Sequence, residues 1–201
     1  MFKTIKENST AEVVEKKSKF ISNVFYVESR EEAESLIKQI NKKYHDARHN
    51  CYAYRIFTKE GIIEKASDDG EPSGTAGAPM LNILSKKELA NILVIVTRYF
   101  GGILLGTGGL VKAYSEACSL GIENSGIIEK KLLNVYKIEI KYSDIDKFKY
   151  FAKNNNIIIL KEEYLENVIL EIGTNEKEEL NKIDEKEKIV RNIQFLKEMY
   201  M

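Results

Sequence analysis

The run Ile92 to Tyr99 (ILVIVTRY) constrains the fold of this chain more than any other segment. Its apolar residues occupy both alternations of a strand, so neither face suits water, and the run predicts the centre of a sheet. The rest of the chain can supply a core around it. Of 201 residues, 43% are hydrophobic and 31% charged, with two prolines and 12 glycines, which excludes collagen-like, mucin-like and disordered classes. A length of 201 residues fits one large domain or two small ones.

Periodicity supplies the neighbouring elements. A strand is predicted from about Lys17 to Val27, and Ser29 with Glu32 forms a capping box that opens a helix. Ala33, Leu36, Ile37, Ile40 and Tyr44 make that helix's apolar stripe. Asn50 to Thr58 and Ile62 to Ala66 read as a hairpin. Ser67 to Pro79 (SDDGEPSGTAGAP) holds both prolines and three glycines and reads as a shaped loop before a short helix from about Ala78 to Lys87. After the central strand, Gly101 to Gly109 (GGILLGTGG) reads as a second loop, and helical spacing resumes from Leu110 to about Glu123. From Leu132 the pattern restarts as a strand, then a helix (Asp144 to Asn154), strands Ile157 to Lys161 and Val168 to Ile172, a helix from Glu176 to about Lys188, and a strand Ile193 to Leu196. This β-α-β-β-α-β order is the ferredoxin-like pattern. The expected class is α+β, with domains over residues 1–128 and 132–201.

Charge and cysteines bound the function. Lys and Arg balance Asp and Glu at 31 each, with 19 basic against 17 acidic residues before Leu132 and 12 against 14 from there onward. No global field draws nucleic acid or membrane, so nucleic-acid binding would need a local patch. Cys51 and Cys118 form neither a disulfide framework nor a zinc motif, and the N-terminus lacks an apolar signal segment. A cytoplasmic protein with reduced thiols and no membrane partner is expected.

Eight of the 12 glycines fall in the two loops, with Gly61 nearby. Glycine there serves either tight turning or close backbone approach to a phosphate. Gly101 and Gly106 have the spacing of a P-loop, but Thr107 stands where the lysine belongs, so P-loop ATP hydrolysis is not supported. Asp68, Asp69 and Glu71 could hold Mg2+ or act as acid and base, although Asp-Asp-Gly is also turn chemistry. His49 and Cys51 share a strand face, which permits a Cys/His pair or a plain core position. Basic and aromatic residues interleave at His45, Arg48, His49, Tyr52, Tyr54 and Arg55, and again at Arg98, Tyr99 and Phe100. Such groups can stack on bases and bind phosphates, or snorkel beside core aromatics. Arg48, Arg55 and Arg98 are three of only five arginines in a lysine-rich chain.

The segments SKFI (Ser18 to Ile21), RHNCYAYR (Arg48 to Arg55), SDDGEPSGTAGAPML (Ser67 to Leu81) and VIVTRYFGGILLGTGGLVKAY (Val94 to Tyr114) strongly resemble the IMPACT/YigZ family. The β-α-β-β-α-β remainder resembles the C-terminal domain of its bacterial two-domain members. The resemblance implies an N-terminal domain with the fold of ribosomal protein S5 domain 2, a mixed sheet with two helices on one face. It also implies a C-terminal ferredoxin-like domain like that of an elongation factor. Eukaryotic members carry an RWD domain and modulate translation through a kinase-activating protein; this chain begins directly with the IMPACT domain, so that partner is not expected. Arg48, His49, Tyr52, Asp68, Asp69, Glu71, Pro72, Gly74, Thr75, Arg98, Tyr99, Gly101, Gly102, Gly106, Thr107, Gly109 and Lys112 are the positions the resemblance transfers.

The leading expectation is a non-enzymatic protein that binds RNA or a ribosomal surface through Arg48, His49, Tyr52, Arg55, Arg98, Tyr99, Lys112 and the glycine loops, regulating translation without a cofactor. A protein partner in translation or stress control is a further expectation. The alternative is an enzyme or small-ligand binder using residues 68–71 and the glycine loop 101–109 for a phosphorylated ligand or Mg2+.

Overall fold

A computed structural model describes residues 1–58, 60–175 and 189–201. The helix expected at Glu176 to Lys188 lies outside them. The chain divides into two compact units, residues 2–129 and residues 130–201 with Met1.

The first unit runs β1 (Phe2–Ile5), β2 (Ser9–Glu15), β3 (Ser18–Tyr26), α1 (Arg30–Lys43), β4 (His49–Thr58), β5 (Gly61–Ser67), α2 (Gly77–Lys86), β6 (Ile92–Tyr99), α3 (Gly106–Ser125) and β7 (Ile127–Lys130). Five strands form a sheet in the order β2-β3-β6-β4-β5, and β1 pairs separately with β7. The central position read from ILVIVTRY is the one found: Ile92 through Val96 are fully buried. Ile92, Val94 and Val96 join a core with Met80 and Leu84 of α2 and with Ala113, Tyr114, Ala117 and Ile122 of α3. Leu93 and Ile95 face the other way, toward Ala33, Ile37 and Ile40 of α1. The helices therefore lie on both faces, two on one side and α1 on the other. All four ladders of this sheet are antiparallel, where mixed pairing was expected. A parallel bridge joins Lys3 to Leu89 outside it.

Three strands went unread in the sequence. β1 and β7 have four residues each, and β2 (STAEVVE) is an edge strand whose inward side is Ala11, buried, and Val13, half-buried. Such segments carry too little apolar periodicity to stand out. The capping box at α1 also differs in detail. Ser29 Oγ accepts from the Glu32 N–H at 3.1 Å, but the Glu32 carboxylate takes the Glu28 N–H at 2.8 Å rather than that of Ser29.

The second unit runs β8 (Leu132–Ile140), a 3-10 turn (Tyr142–Asp144), α4 (Ile145–Asn154), β9 (Ile158–Tyr164), β10 (Val168–Thr174) and β11 (Val190–Tyr200). Its strands are ordered β11-β8-β10-β9 with antiparallel pairing throughout. Ile138, Ile140, Leu170 and Ile172 pack with Phe148 and Ala152 of α4. Every strand read after Leu132 is present, and β11 extends well beyond Ile193 to Leu196. Together the two units are an α+β protein.

Glycine positions separate close approach from open space. A Cβ on Gly101 would collide with the backbone of Lys17 and Ser18, whereas one on Gly108 would meet nothing within 4 Å. Gly101→Ala is expected to lower stability by about 2 kcal/mol or more through forced backbone displacement. Gly108→Ala is expected to raise it by roughly 0.4–1 kcal/mol through lost unfolded-state entropy. Urea unfolding of the two variants checks both signs.

Candidate functional site

The loop between β5 and α2 is built around Asp68. Its Oδ1 accepts from the Ala76 and Gly77 N–H groups at 3.0 and 2.8 Å, and its Oδ2 from Gly74 N–H at 2.8 Å. Asp68 thus caps the start of α2, a site where donors have no partner inside the helix. Burial alone would raise its pKa, but the three backbone donors outweigh it and hold the carboxyl below its ordinary range. Asp69 reaches elsewhere, its Oδ2 accepting the Asn50 N–H at 2.7 Å. Gly77 lets the turn close, since a Cβ there would stand 2.7 Å from the Ser67 nitrogen.

Glu71 points inward from this loop, its side chain only 3% exposed. Its Oε1 accepts from Arg98 Nη1 at 2.7 Å and from the Tyr114 hydroxyl at 2.9 Å. Arg98, on β6 with its side chain 8% exposed, has its guanidinium 5.6 Å from the ring centroids of both Phe20 and Phe100. A buried carboxylate and guanidinium are tolerable only as a hydrogen-bonded pair. His49 adjoins them: Nδ1 lies 2.8 Å from the Asp69 carbonyl, which can only accept, so Nδ1 carries the proton and Nε2 faces Glu71 at 4.0 Å. Cys51 Sγ donates to the Asp68 carbonyl at 2.9 Å and lies 3.3 Å from the Tyr114 hydroxyl. Burial pushes the Cys51 thiol up to about 12 and raises Tyr114 as well.

These contacts sort the sequence candidates. His49, Asp68, Asp69, Glu71 and Arg98 meet at one end of the sheet, and Tyr114 completes their network. Arg55 does not join them: buried, it donates to Glu64 at 2.6 Å and to the carbonyls of Leu84 and Leu89, closing the end of α2. Tyr52 faces the α1 side, stacked near Tyr54. The acidic trio diverges, one carboxylate on backbone N–H groups, one on Asn50 and one on Arg98, and among the described residues no group of three or more His, Cys, Asp and Glu could hold a metal. The Mg2+ alternative loses its ligand set by this divergence. A thiol this far from its thiolate form, donating to a carbonyl, is likewise no nucleophile.

The second glycine segment differs from its expected loop form. Gly106, Thr107, Gly108 and Gly109 are the first turn of α3, and the loop proper is Gly101 to Leu105. No side chain caps this helix at Leu105, and Gly102 and Gly106 have positive φ of 84° and 72°. Thr107 and Lys112 are exposed along the helix, and Phe100 (45%), Ile103 (43%) and Leu104 (83%) expose apolar surface beside it. Arg48 is exposed at the start of β4, and the Tyr99 hydroxyl donates to Asp46 at 2.8 Å. Tyr114 escaped the sequence reading. The available signal was a lone hydroxyl in the buried stripe with Ala113, Ala117 and Cys118, since a buried tyrosine usually needs a partner for its O–H.

Residues 16–122 match the Impact N-terminal domain, and residues 138–182 match a domain of unknown function, DUF1949. Over 175 residues the chain is 41% identical to IMPACT family member YvyE of Bacillus subtilis (strain 168), covering 87% of this chain and 80% of that one. The chain belongs to the IMPACT family. IMPACT family member YigZ of Escherichia coli (strain K12) is 34% identical, with 79% and 78% covered. The crystal structure of a hypothetical protein superposes with a TM-score of 0.64 at 29% identity, covering 97% of this chain and 96% of that one. In this IMPACT-family chain, the network of His49, Glu71, Arg98 and Tyr114 falls within the matched N-terminal domain.

Removing one partner of the buried pair strands the other. Arg98→Ala is expected to cost about 3–5 kcal/mol, and Glu71→Leu combined with Arg98→Met distinctly less, in denaturant unfolding. Asp68, depressed in the fold, stabilises fully above its ordinary value of 3.8, and that contribution is lost as pH falls through the lower folded value. Wild type is therefore expected to lose stability in that acid window more steeply than Asp68→Asn.

Proposed function

We propose that this protein acts in the regulation of translation in the cytoplasm, binding RNA or a ribosomal surface through the α3 end of its first unit. The observation that carries the reading is the uncapped start of α3. Its unpaired N–H groups and dipole favour an anion. Gly108 and Lys112 are four residues apart and share a helix face, so a phosphate reaching the open glycine backbone also meets an ammonium group. Exposed Phe100 adds a ring on which a base can stack. Arg48, Tyr99, Gly101, Gly102 and Thr107 extend this surface, whereas Arg98 and Glu71 shape it from beneath and Arg55 supports α2.

The translation theme comes from the family resemblance, whose eukaryotic members modulate translation. Fold assignment belongs to the same proposal: residues 1–128 as an S5 domain 2-like domain and residues 132–201 as a ferredoxin-like domain. The spatial strand order of the second unit, last-first-third-second, supports the latter.

Fluorescence anisotropy with a single-stranded RNA 20-mer tests the reading. Near-zero net charge and about three phosphate contacts imply modest affinity with a log–log salt slope of about −2. Lys112→Ala and Phe100→Ala should each weaken binding about three- to tenfold while leaving the unfolding midpoint unchanged. Absence of binding at low salt, together with no co-sedimentation with ribosomes, would sink the proposal.

A further inference from the structure

The two faces of the five-stranded sheet are covered unequally. On one face α3 packs over β2 and β3, while on the other α1 packs over β4 and β6 and leaves the β2–β3 side open. A cleft of about 510 Å³ remains there, bounded by α1 and by β2 and β3. Leu36, Gln39, Ile40 and Lys43 of α1 form one wall at helical spacing, and Phe25 and Asn23 of β3 form the floor.

Asn23 is the informative residue. It is 2% exposed, and its Nδ2 has no hydrogen-bond partner. Burying an amide without a partner is unfavourable, so a polar group aimed into a cleft points to an acceptor that arrives from outside. No carboxylate lines the cleft, and its one charged residue, Lys43, is exposed, with Nζ 4.9 Å from the Tyr44 ring. The deep donor is thus neutral and the cation stands at the rim. A buried neutral amide calls for a carbonyl or ring nitrogen, because carrying an ion down to it would mean stripping that ion of water. An anion fits at Lys43, and Phe25, Leu36 and Ile40 offer apolar contact between the two ends. Side-chain carboxamides such as those of Asn23 and Gln39 match the edges of nucleobases, and the cleft volume falls within the usual range for small-molecule sites.

We infer that this cleft binds a nucleoside monophosphate, its base on Asn23 against Phe25 and its phosphate at Lys43. The site is distinct from the α3 surface, which lies with the loops at one end of the sheet.

The test is a titration of the full-length 15N-labelled chain with each of the four ribonucleoside 5′-monophosphates, and with inorganic phosphate, to about 5 mM, which detects dissociation constants near 1 mM. Saturable shifts of the amides at Asn23 to Phe25 and Leu36 to Lys43 with at least one nucleotide are expected, with none from phosphate alone. Asn23→Leu removes an unpaired buried amide and should remain folded while weakening binding about tenfold or more. Lys43→Ala should weaken it severalfold and flatten its salt dependence. No saturable shift with any nucleotide, equal shifts with phosphate, unchanged affinity in Asn23→Leu, or shifts confined to Thr107 to Lys112 would each overturn the inference. The last of these would leave the α3 reading standing.

Discussion

The buried pair of Glu71 and Arg98 ties together three parts of the first unit that chain connectivity leaves separate. The carboxylate comes from the β5–α2 loop, the guanidinium from the end of β6, and the Tyr114 hydroxyl on the same oxygen from α3. Neither charge could stay in the interior alone, so the loop, the strand and the helix hold each other in place. Asp68 then fastens the loop to the start of α2, and the Asp68 and Asp69 carbonyls take Cys51 and His49. The loop is rigid because nearly every polar group that turns inward has a partner.

This arrangement redirects the functional reading. Polar groups that looked available for chemistry are occupied in holding the loop, so the acidic trio offers neither a metal site nor a free base. The same packing leaves the first turn of α3 uncovered and pushes Phe100, Ile103 and Leu104 outward. What the buried network presents to a partner is a backbone surface, with lysine and aromatic groups at its edges.

Much of the architecture was legible from local pattern. ILVIVTRY identified its own central position because a strand buried on both faces has no other place in a sheet, and the Ser29 cap and the stripe that follows located α1. The element order after Leu132 was readable for the same reason. β2 was not, because an edge strand facing water needs only Ala11 and Val13 inward. The start of α3 was also missed. Glycine has poor helix propensity, yet Gly106 to Gly109 begin the helix, and Gly109 packs on Leu105.

Periodicity is local, so residue order alone determined which segments are strands and helices, which strand is central and which two loops are unusual. It also brought His49, Asp68, Glu71 and Arg98 to notice as residue types. Only tertiary structure decided that Arg98 turns inward to Glu71 while Arg48 stays in water, that Arg55 serves the end of α2, and that Asn23 is left facing an open cleft. Those outcomes depend on which side of a strand a helix covers. That choice is made by contacts between residues tens of positions apart, and no local pattern encodes it.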